Sequence, residues 1–354
     1  MKPLKIGLVG TGSISNAHMI GYQKLAAEGK IELVAACDLN EERARQWAEK
    51  YGFKEVYSNH KDMLENSDID AVSICTWNNG HAPITIDALR AGKHVLCEKP
   101  PAMTVEEALA MEAAEKASGK ILMIGFVRRF GLNAKLVLDF YNGGFFGDIN
   151  YAKVAVTRRC GCPLGWFANS KLSGGGPLID NGVHLIDLVR YLTGKPKAIS
   201  CYAATYNNMG SRTHIKGVQR YASVDPSSFS DVEDLAVGMV KFDNGMTMNL
   251  EFSYSQELED GLIGVEIYGS KGGAVVEPHL TLMTEMHDYM VNITPQVDAS
   301  SFEDIFEAEM RHFVDCASGN IECQNRIDDG IELMRIITSM YESAKTGHEV
   351  IIAR

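Results

Sequence analysis

The sequence has no apolar run long enough to cross a membrane and no excess of positive charge. No stretch of about 18 consecutive apolar residues occurs in the 354-residue chain, so a membrane-spanning helix is not expected. Its 34 Lys and Arg residues against 46 Asp and Glu residues give a formal net charge of -12, which repels nucleic-acid phosphates and anionic lipid alike. The apolar stretch at residues 6–9 runs into a glycine loop instead of a signal-peptide core, and we expect a cytoplasmic protein.

Cysteine is present without the spacing of a disulfide framework or a zinc site. Several of the 8 cysteines lie in apolar strand-like runs, where a buried reduced thiol behaves as a small hydrophobic residue (Cys37, Cys75, Cys97, Cys201). Cys160 and Cys162 form the one close pair in the sequence, and no second pair or Cys/His cluster accompanies them at zinc-like spacing. We therefore predict no disulfides and no metal site.

The length of the chain and its hydrophobic periodicity predict two domains, 1–125 and 126–354. To about residue 125, apolar strand-like runs alternate with helical stretches, which is typical of a parallel sheet with helices on both faces. The first domain is thus predicted to be a doubly wound α/β domain of the Rossmann type. Beyond it the pattern is α+β, and turn signals such as Asp243-Asn244-Gly245 favour hairpins and a mainly antiparallel sheet. Helices are predicted over 178–192, 302–317 and 328–344, and a long loop over 207–231.

A glycine-rich turn follows the first predicted strand and opens the first helix. Gly10 permits a tight turn, Gly12 lets the backbone approach a pyrophosphate, and the helix start offers unpaired N–H groups. Ser15 stands where a third glycine or alanine is usual. The strand before the turn, the helix after it and an acidic residue at the end of the next strand predict a dinucleotide site rather than a simple turn. The residues predicted to contact the cofactor there are Gly10, Thr11, Gly12, Ser13 and Ile14.

Asp38 ends the second predicted strand, where a carboxylate accepts hydrogen bonds from both ribose hydroxyls and repels a 2′-phosphate. The next two residues are uncharged, so no cation stands immediately beside it in the sequence, and Arg43 and Arg45 come one turn later. This arrangement predicts NAD in preference to NADP. Asp38 is also a candidate N-cap for the helix that begins near Glu41, a role compatible with ribose binding.

Glu98-Lys99-Pro100 follows an apolar strand, at the kind of strand end where open α/β sheets bind ligands. The proline fixes the path of the chain and directs Lys99 toward that crevice. An ammonium group there can polarise a hydroxyl or relay a proton. The alternative is a solvated lysine paired with Glu98.

A second glycine run, 174–176, precedes a predicted helix that carries polar residues at helical spacing. Pro177 suits its first turn, and Asp180 and His184 lie four residues apart on one face. Asp187, three residues further, can orient the imidazole. A histidine beside carboxylates suits proton exchange near neutral pH, although a single helical histidine is often structural.

These three motifs, in this order and spacing, resemble those of the Gfo/Idh/MocA oxidoreductases over essentially the whole chain. The resemblance implies a Rossmann domain followed by an α/β domain with a large open, mainly antiparallel sheet that binds substrate and forms oligomers. It implies that Lys99, Asp180 and His184 are the catalytic positions and also contact substrate. It also places a loop near the cofactor at 76–81, where Trp77 stands in place of the family's usual proline. The further cofactor contacts implied are Thr76, Trp77, Asn78, His81, Glu98 and Lys99.

Two weaker candidates for the substrate pocket complete the set. Arg129 resembles part of a substrate-side loop of the family, and a surface basic pair with Arg128 is the alternative. Trp166 precedes the second glycine run and can stack on a sugar ring, while core packing is the alternative.

The combined interpretation is an NAD-dependent dehydrogenase that acts on a secondary hydroxyl of a sugar, sugar acid or cyclitol. His184 would exchange the hydroxyl proton, Lys99 would hold the oxygen, and Asp180 would orient substrate or base. We expect a homodimer or homotetramer formed through the open sheet, and no nucleic-acid or membrane partner. Two alternatives stay open: an NAD-dependent glycosidase that oxidises its sugar transiently, and a non-catalytic NAD-binding sensor.

Overall fold

The computed structural model describes residues 2–217 and 229–353, and the chain divides into two compact units. The first unit comprises Met1–Phe130 and Ser300–Ile331, and the second comprises Gly131–Ala299 and Glu332–Arg354. This division differs from the single boundary at residue 125, because a late segment of the chain returns to the first unit.

The strands are, in chain order, β1 (Leu4–Val9), β2 (Ile31–Cys37), β3 (Glu55–Tyr57), β4 (Ala71–Ile74), β5 (His94–Cys97), β6 (Leu122–Ile124), β7 (Ile149–Thr157), β8 (Ala198–Tyr206), β9 (Leu235–Phe242), β10 (Thr247–Ser253), β11 (Leu262–Gly269), β12 (Gly272–Glu277), β13 (Thr281–Met286), β14 (Tyr289–Ile293) and β15 (Val350–Ile351). The α-helices are α1 (Ser13–Ala27), α2 (Glu41–Tyr51), α3 (His60–Asn66), α4 (Asn78–Arg90), α5 (Val105–Ser118), α6 (Leu132–Asn142), α7 (Ser170–Ser173), α8 (Val183–Leu192), α9 (Phe302–Ala317) and α10 (Ile327–Thr346). Short 3-10 turns span Val127–Phe130 and Gly165–Ala168, and a π-helical turn spans Leu178–Gly182.

The first unit is built on a six-stranded parallel sheet with the order β3-β2-β1-β4-β5-β6. The order reverses between β1 and β4, and the loops that leave these two strands flank the usual ligand crevice of such sheets. The central strands are mostly apolar because helices cover both faces. The predicted Rossmann architecture is thereby confirmed.

Helix α9 belongs to the first unit because its apolar stripe completes that unit's core. Met310 and Phe313 are fully buried with Tyr22 of α1 in one cluster. A Cβ atom on Gly21 would lie 2.6 Å from the Met310 Cβ, so glycine is what lets α1 and α9 approach so closely. An amphipathic helix predicts that one face is buried but does not indicate which element it packs against. The predicted boundary at residue 125 therefore did not include α9 in the first unit.

The segment after α9 also protects the edge of the parallel sheet. The Ile124 N–H donates to the Asn325 carbonyl at 2.9 Å, and Met123 forms an isolated bridge with Arg326. The buried Asn325 amide donates to the carbonyl of Ile124 at 3.1 Å. The edge strand β6 is therefore covered instead of exposed to pairing with another chain.

The second unit contains a nine-stranded mixed sheet with the order β14-β13-β12-β11-β7-β10-β9-β8-β15. Strands β7 and β10 pair in parallel, and every other neighbouring pair in this order is antiparallel. Helix α8 packs on β7 and β11. The predicted large, mainly antiparallel sheet is confirmed.

Several local predictions need revision. Strands β12 to β15 were not predicted, because glycines or methionines interrupt the alternation of apolar and polar residues in β12 to β14 and β15 has only two residues. Helix α4 begins at Asn78, five residues before Pro83, so this proline lies inside the helix. Of the predicted loop at 207–231, residues 218–228 lie outside the described part of the chain. No helix within 2–217 and 229–353 is both long and apolar enough to cross a membrane.

Candidate active site

The glycine turn after β1 leaves open space at the start of α1. Gly10 has a φ of +94°, and a Cβ atom there would lie 2.5 Å from the Cys75 carbonyl oxygen, so glycine is required for this turn to pack on the end of β4. At Gly12, the N-cap of α1, an added Cβ would meet nothing within 4 Å. No side chain of the described residues caps the helix at this position. An open helix start with unpaired N–H groups fits a pyrophosphate.

Ser15 fits the position usually held by a small residue because its hydroxyl turns back on the backbone. It is fully buried and donates to the Gly12 carbonyl at 2.6 Å. The polar group is thereby satisfied inside the helix, which removes the cost of burying it. The departure from glycine or alanine at this position therefore leaves the turn intact.

Asp38 is held by several donors at the end of β2. Its Oδ2 accepts hydrogen bonds from the Thr11 N–H at 2.8 Å and from the Thr11 hydroxyl at 2.9 Å, and its Oδ1 accepts from the Asn40 N–H at 2.9 Å. Burial pushes the pKa of Asp38 up, but donors from Asn40, Arg43 and Thr11 outweigh it and leave the pKa below its usual value. The carboxylate is charged and ties the glycine turn to β2.

The structure corrects the expectation that no cation stands beside Asp38. The Arg43 Nη2 lies 2.6 Å from the Asp38 Oδ1 in an ion pair. Asn40, not Asp38, caps α2, since its side chain accepts from the Arg43 N–H at 3.0 Å. This cap starts the helix in a way that returns Arg43 to the carboxylate, a proximity that sequence distance did not show.

The loop after β4 is clamped to the segment after β5 by a buried histidine. His81 Nδ1 lies 2.6 Å from the Pro100 carbonyl oxygen, and its Nε2 lies 3.1 Å from the Thr76 carbonyl oxygen. Burial lowers the pKa of His81. Both ring nitrogens thus face backbone carbonyl oxygens of the protein itself, so His81 shapes the loop. Trp77, the N-cap of α4, is 44% exposed, while Asn78 is buried.

The Glu98 side chain is buried and hydrogen-bonds both to a buried histidine and to the backbone of Lys99. Its Oε1 lies 2.8 Å from the Nε2 of His18, and its Oε2 accepts from the Lys99 N–H at 3.1 Å. The carboxyl is buried, and burial by itself raises the pKa of Glu98. The hydrogen bond with His18 acts in the opposite direction, and the resulting pKa lies below the usual value. Lys99 itself is partly exposed.

A second buried carboxyl, Glu309 of α9, lies beside this pair. The side chains of His18, Glu98 and Glu309 have ligand atoms within 4.8 Å of one another. Among the described residues, neither Glu309 carboxyl oxygen has a hydrogen-bond partner, and its side chain is fully buried. Burial, with the Glu98 charge added, raises the pKa of Glu309 well above its ordinary value. A neutral carboxyl is therefore favoured next to the charged one.

Arg129 has a structural position in the first unit. Its side chain has no exposed surface, forms an ion pair with Asp329 at 2.9 Å and donates to the Gln324 carbonyl at 2.8 Å. The guanidinium also lies 4.8 Å from the centre of the Phe126 ring. These contacts anchor the segment after α9, and a substrate contact by Arg129 stays a prediction.

In the second unit, the glycine run packs against protein side chains. A Cβ at Gly175 would lie 2.1 Å from the Tyr341 hydroxyl, and one at Gly176 would lie 2.2 Å from the Glu233 carbonyl oxygen. The Glu233 carboxylate accepts from the Gly176 N–H at 2.9 Å and from the Leu178 N–H at 3.2 Å. The Tyr341 hydroxyl donates to Glu233 at 2.9 Å. Burial raises the pKa of Glu233 in spite of these donors.

Asp180 and His184 follow this run on two consecutive helical turns. Asp180 lies in the π-helical turn, and its Oδ2 accepts from the Tyr254 hydroxyl at 2.9 Å. His184 lies in the first turn of α8 and is partly exposed, and Asp187 is buried. A π turn widens the helix locally and is frequent at functional sites.

Trp166 and its neighbour form a stacked aromatic pair in the second unit. The rings of Trp166 and Phe167 lie 3.9 Å apart between centroids and 28° from coplanar, and both side chains are partly exposed. Nearby in the sequence, Arg158 donates to the Asn181 side chain at 3.2 Å. The stacked Trp166 and Phe167 rings present a partly accessible aromatic surface of the kind that sugar rings stack on.

Two residues with clear structural contacts to this segment were missed by the sequence analysis. Tyr254 directly follows β10 and is fully buried, which raises its pKa well above the usual value. Glu233 precedes β9 and caps the glycine run. Tyr254 left one weak signal, an aromatic residue next to the end of a strand, while Glu233 left none because its partner lies 57 residues away.

Known proteins match this chain over nearly its full length. The description "Oxidoreductase family, NAD-binding Rossmann fold" matches residues 4–126, and "Oxidoreductase family, C-terminal alpha/beta domain" matches 142–352. D-glucoside 3-dehydrogenase of Escherichia coli (strain K12) is 32% identical over 351 residues, which cover 98% of this chain and 97% of that protein. Levoglucosan dehydrogenase of Pseudarthrobacter phenanthrenivorans is 30% identical over 290 residues, or 78% of this chain and 74% of that protein. A solved structure of levoglucosan dehydrogenase in complex with NADH has the same fold, with a TM-score of 0.86 and 24% identity over 99% of this chain and 100% of that chain.

The match extends over both halves of the chain rather than over the dinucleotide fold alone. Similarity restricted to residues 4–126 would leave the function open, because one fold hosts many functions. The match over 142–352 adds the C-terminal alpha/beta domain of the same family. The chain therefore belongs to the Gfo/Idh/MocA oxidoreductase family, and its first unit carries the family's NAD-binding Rossmann domain.

Proposed function

We propose that the protein oxidises a secondary hydroxyl of a sugar, sugar acid or cyclitol by transfer of a hydride to NAD. The observation that carries the proposal is the open space at Gly12 beside the charged Asp38, in a chain that aligns end to end with a D-glucoside 3-dehydrogenase. A pyrophosphate fits the first feature and a ribose the second. Other relatives are named for levoglucosan and myo-inositol, which are also polyhydroxylated rings.

The roles of the chain's own residues follow from their chemistry. NAD, when bound, supplies the hydride acceptor. We assign Lys99 to the reacting oxygen, where its ammonium group stabilises negative charge as the hydroxyl loses its proton. His184 takes that proton, since a neutral imidazole is a competent base near neutral pH. Asp180, whose Oδ2 is fixed by the Tyr254 hydroxyl, orients the substrate or the imidazole.

The nature of the substrate follows from the side chains available in the second unit. The partly exposed Trp166 and Phe167 rings offer a flat apolar surface for a sugar ring, and Asp180 offers an acceptor for its hydroxyl groups. The net charge of -12 gives no general attraction for anionic substrates, so neutral polyols and glycosides are the first class to test.

The test is a screen of NAD and NADP reduction over glycosides, free sugars, sugar acids and inositols. We expect NADH to accumulate with at least one ring polyol and to do so faster than NADPH. Release of an aglycone without accumulation of NADH would establish the glycosidase instead. Absence of turnover on every polyol, together with partner binding that responds to NADH, would establish the sensor.

We further propose that the protein is a homo-oligomer assembled through the outer face of the mixed sheet. Tyr202 and Met239 are paired across β8 and β9, and both are 51% exposed. Leu262 of β11, which the strand register places on the same face, is 47% exposed. Large exposed apolar side chains on a wide sheet are typical of subunit contacts. Tyr202→Glu with Met239→Glu should lower the mass measured by light scattering, whereas Met290→Glu on the edge strand should not.

The cytoplasm is the compartment that we propose for this reaction. The cysteines are free thiols, and most of them are buried in the two units. Reduced cysteines are typical of proteins that work where glutathione and thioredoxin keep thiols reduced. Fractionation of cells that produce the tagged protein checks this assignment.

A further inference from the structure

Three side chains that the sequence spacing did not single out meet at the end of α9. His312 and Cys316 lie four residues apart on the helix, and Cys323 comes from the segment that follows it. Their ring nitrogen and sulfur atoms all lie within 4.8 Å of one another. Cys316 is buried, while Cys323 and His312 are partly exposed. The cluster lies wholly in the first unit and is separate from the residues assigned to substrate and cofactor.

The hydrogen bonds around the cluster determine which nitrogen of His312 carries its proton. The Gln324 N–H donates to the His312 Nε2 at 3.1 Å, so this nitrogen is the acceptor and the proton of a neutral ring resides on Nδ1. The second nitrogen is thereby a donor that can serve a sulfur atom. His312 is held in place further by the Phe130 ring, whose centroid lies 5.4 Å from its own.

This arrangement favours a thiolate over a metal ion. A cation bound at Nδ1 would require the ring proton to move to Nε2, where it would face the Gln324 N–H, and two donors would oppose each other. A thiolate at Cys323 is opposed by burial but favoured by three donors. The Cys316 thiol, the His312 ring and the Asn325 N–H all donate to it and lower the pKa of Cys323 below the usual value. The same hydrogen bond to Cys323 raises the pKa of Cys316.

We propose that Cys323 and Cys316 form a redox pair that reacts with hydroperoxides. The Cys323 thiolate attacks the terminal peroxide oxygen, the O–O bond breaks, and an alkoxide or hydroxide leaves and takes a proton from solvent. The resulting sulfenic acid is attacked by the Cys316 sulfur, the S–O bond breaks, and the hydroxyl leaves with the Cys316 proton as water. The two sulfurs lose two electrons in total, and the peroxide gains them.

The surroundings of the pair allow the second step. Residues 318–322, between the two cysteines, are exposed and lie outside regular secondary structure. This segment can move so that the two sulfurs reach bonding distance without a change in the core of α9. The next residues, Gln324 and Asn325, hold Arg129 and the edge strand β6, so the cross-link forms beside a fixed part of the unit.

The test is a count of free thiols in the full-length protein before and after hydrogen peroxide. We expect the 8 thiols to fall to six, the intact mass to drop by two hydrogen atoms, and peptide mapping to find Cys316 joined to Cys323. Cys316→Ser should stop the reaction at a sulfenic acid on Cys323 that dimedone captures, and Cys316→Ala serves if serine disturbs the core. His312→Asn should slow the loss of the first thiol by about tenfold.

Cys160→Ser is the matched control, because Cys160 is also partly exposed but has no such cluster around it among the described residues. It should behave as the parent protein does. The proposal is overturned if the parent keeps all its thiols, if Cys323→Ser loses thiols at the parental rate, or if Cys160 is oxidised first. It is also overturned if the protein binds one equivalent of Zn²⁺ through these three side chains, because the cluster is then a metal site.

Discussion

The two units both open a functional helix with glycines, but the glycines serve different purposes. At Gly12 of the first unit an added Cβ would meet nothing within 4 Å. At Gly175 and Gly176 of the second unit it would strike Tyr341 and Glu233 at 2.1 and 2.2 Å. The first glycine leaves room for a ligand, whereas the other two leave room for the protein itself.

This difference teaches that a glycine run near a site is not by itself a sign of a bound ligand. In the first unit the backbone is a binding surface, and Asp38 secures it through the Thr11 N–H. In the second unit the backbone is scaffold, and Glu233 secures it through the Gly176 N–H so that Asp180 and His184 are presented on the following turns. Binding of cofactor and conversion of substrate should therefore respond to different substitutions.

Lys99→Ala should give the largest effect and would show that the first unit contributes to chemistry as well as to cofactor binding. We expect kcat to fall by about 10²–10⁴-fold, because the charge on the reacting oxygen is no longer stabilised. NAD affinity, measured by titration of protein fluorescence, should change little. Lys116→Ala, on the exposed side of α5, is the control. Loss of NAD binding in Lys99→Ala would reduce this lysine to a cofactor contact.

His184→Asn tests the second unit in the same way. Asparagine keeps some hydrogen bonding but takes no proton, so kcat should fall by about 10²-fold and the acidic limb of the rate–pH profile should disappear. NAD affinity should again be unchanged. If the variant keeps both its activity and that limb while Lys99→Ala loses both, Lys99 is the base and the roles are reversed.

Asp38→Ser probes the binding surface of the first unit. The preference for NAD over NADP should narrow by about tenfold or more, since a hydrogen-bonded charge contributes about 1.5–3 kcal/mol. Loss of the ion pair also frees Arg43, now 2.6 Å from Asp38, to meet a 2′-phosphate. The double variant Asp38→Ser with Arg43→Ala separates these two causes. It should bind NAD as weakly as Asp38→Ser does, but it should not show the improved binding of NADP. A parent enzyme that already prefers NADP contradicts the assignment.

The pair Gly176→Ala and Gly12→Ala challenges the comparison directly. Gly176→Ala should lower the free energy of unfolding by about 1–3 kcal/mol because its methyl group meets the Glu233 backbone. Gly12→Ala should leave the melting temperature nearly unchanged and weaken the binding of NAD, because its methyl group occupies the space of the ligand. Equal losses of stability in the two variants would show that both glycines are scaffold.

Glu309→Gln should give the smallest effect, and its size depends on pH. The raised pKa means that the folded state holds a proton that the unfolded state releases above about pH 4.5, so parental stability falls as pH rises. Glutamine removes this dependence. The melting temperature of the variant minus that of the parent, measured by calorimetry, should therefore increase as the pH rises from 5 to 8. A constant difference over that range would mean that Glu309 is charged in the folded state.

The sequence predicted those features that are local and missed those that depend on distant partners. The turn from β1 to α1, Asp38 at the end of β2, and the segment of Asp180 and His184 all lie within short stretches whose spacing has a physical meaning. Arg43 beside Asp38, Tyr254 on Asp180 and the cluster at His312 arise from folding. The sequence also did not show that the polar atoms of Arg129 and His81 contact the protein itself.

Because the first unit is built from two separate segments of the chain, it cannot complete its fold until late in translation. Tyr22 and Leu25 of α1 emerge early, but Met310 and Phe313, which share their cluster, are translated only after all of Gly131–Ala299. At about 5–20 residues per second, this delay is on the order of ten seconds. We expect nascent chains that end near residue 299 to be more sensitive to protease in α1 than chains that extend past residue 331. The order of synthesis thus leaves the cofactor unit incomplete until residue 331 has been made, although it contains the first residues of the chain.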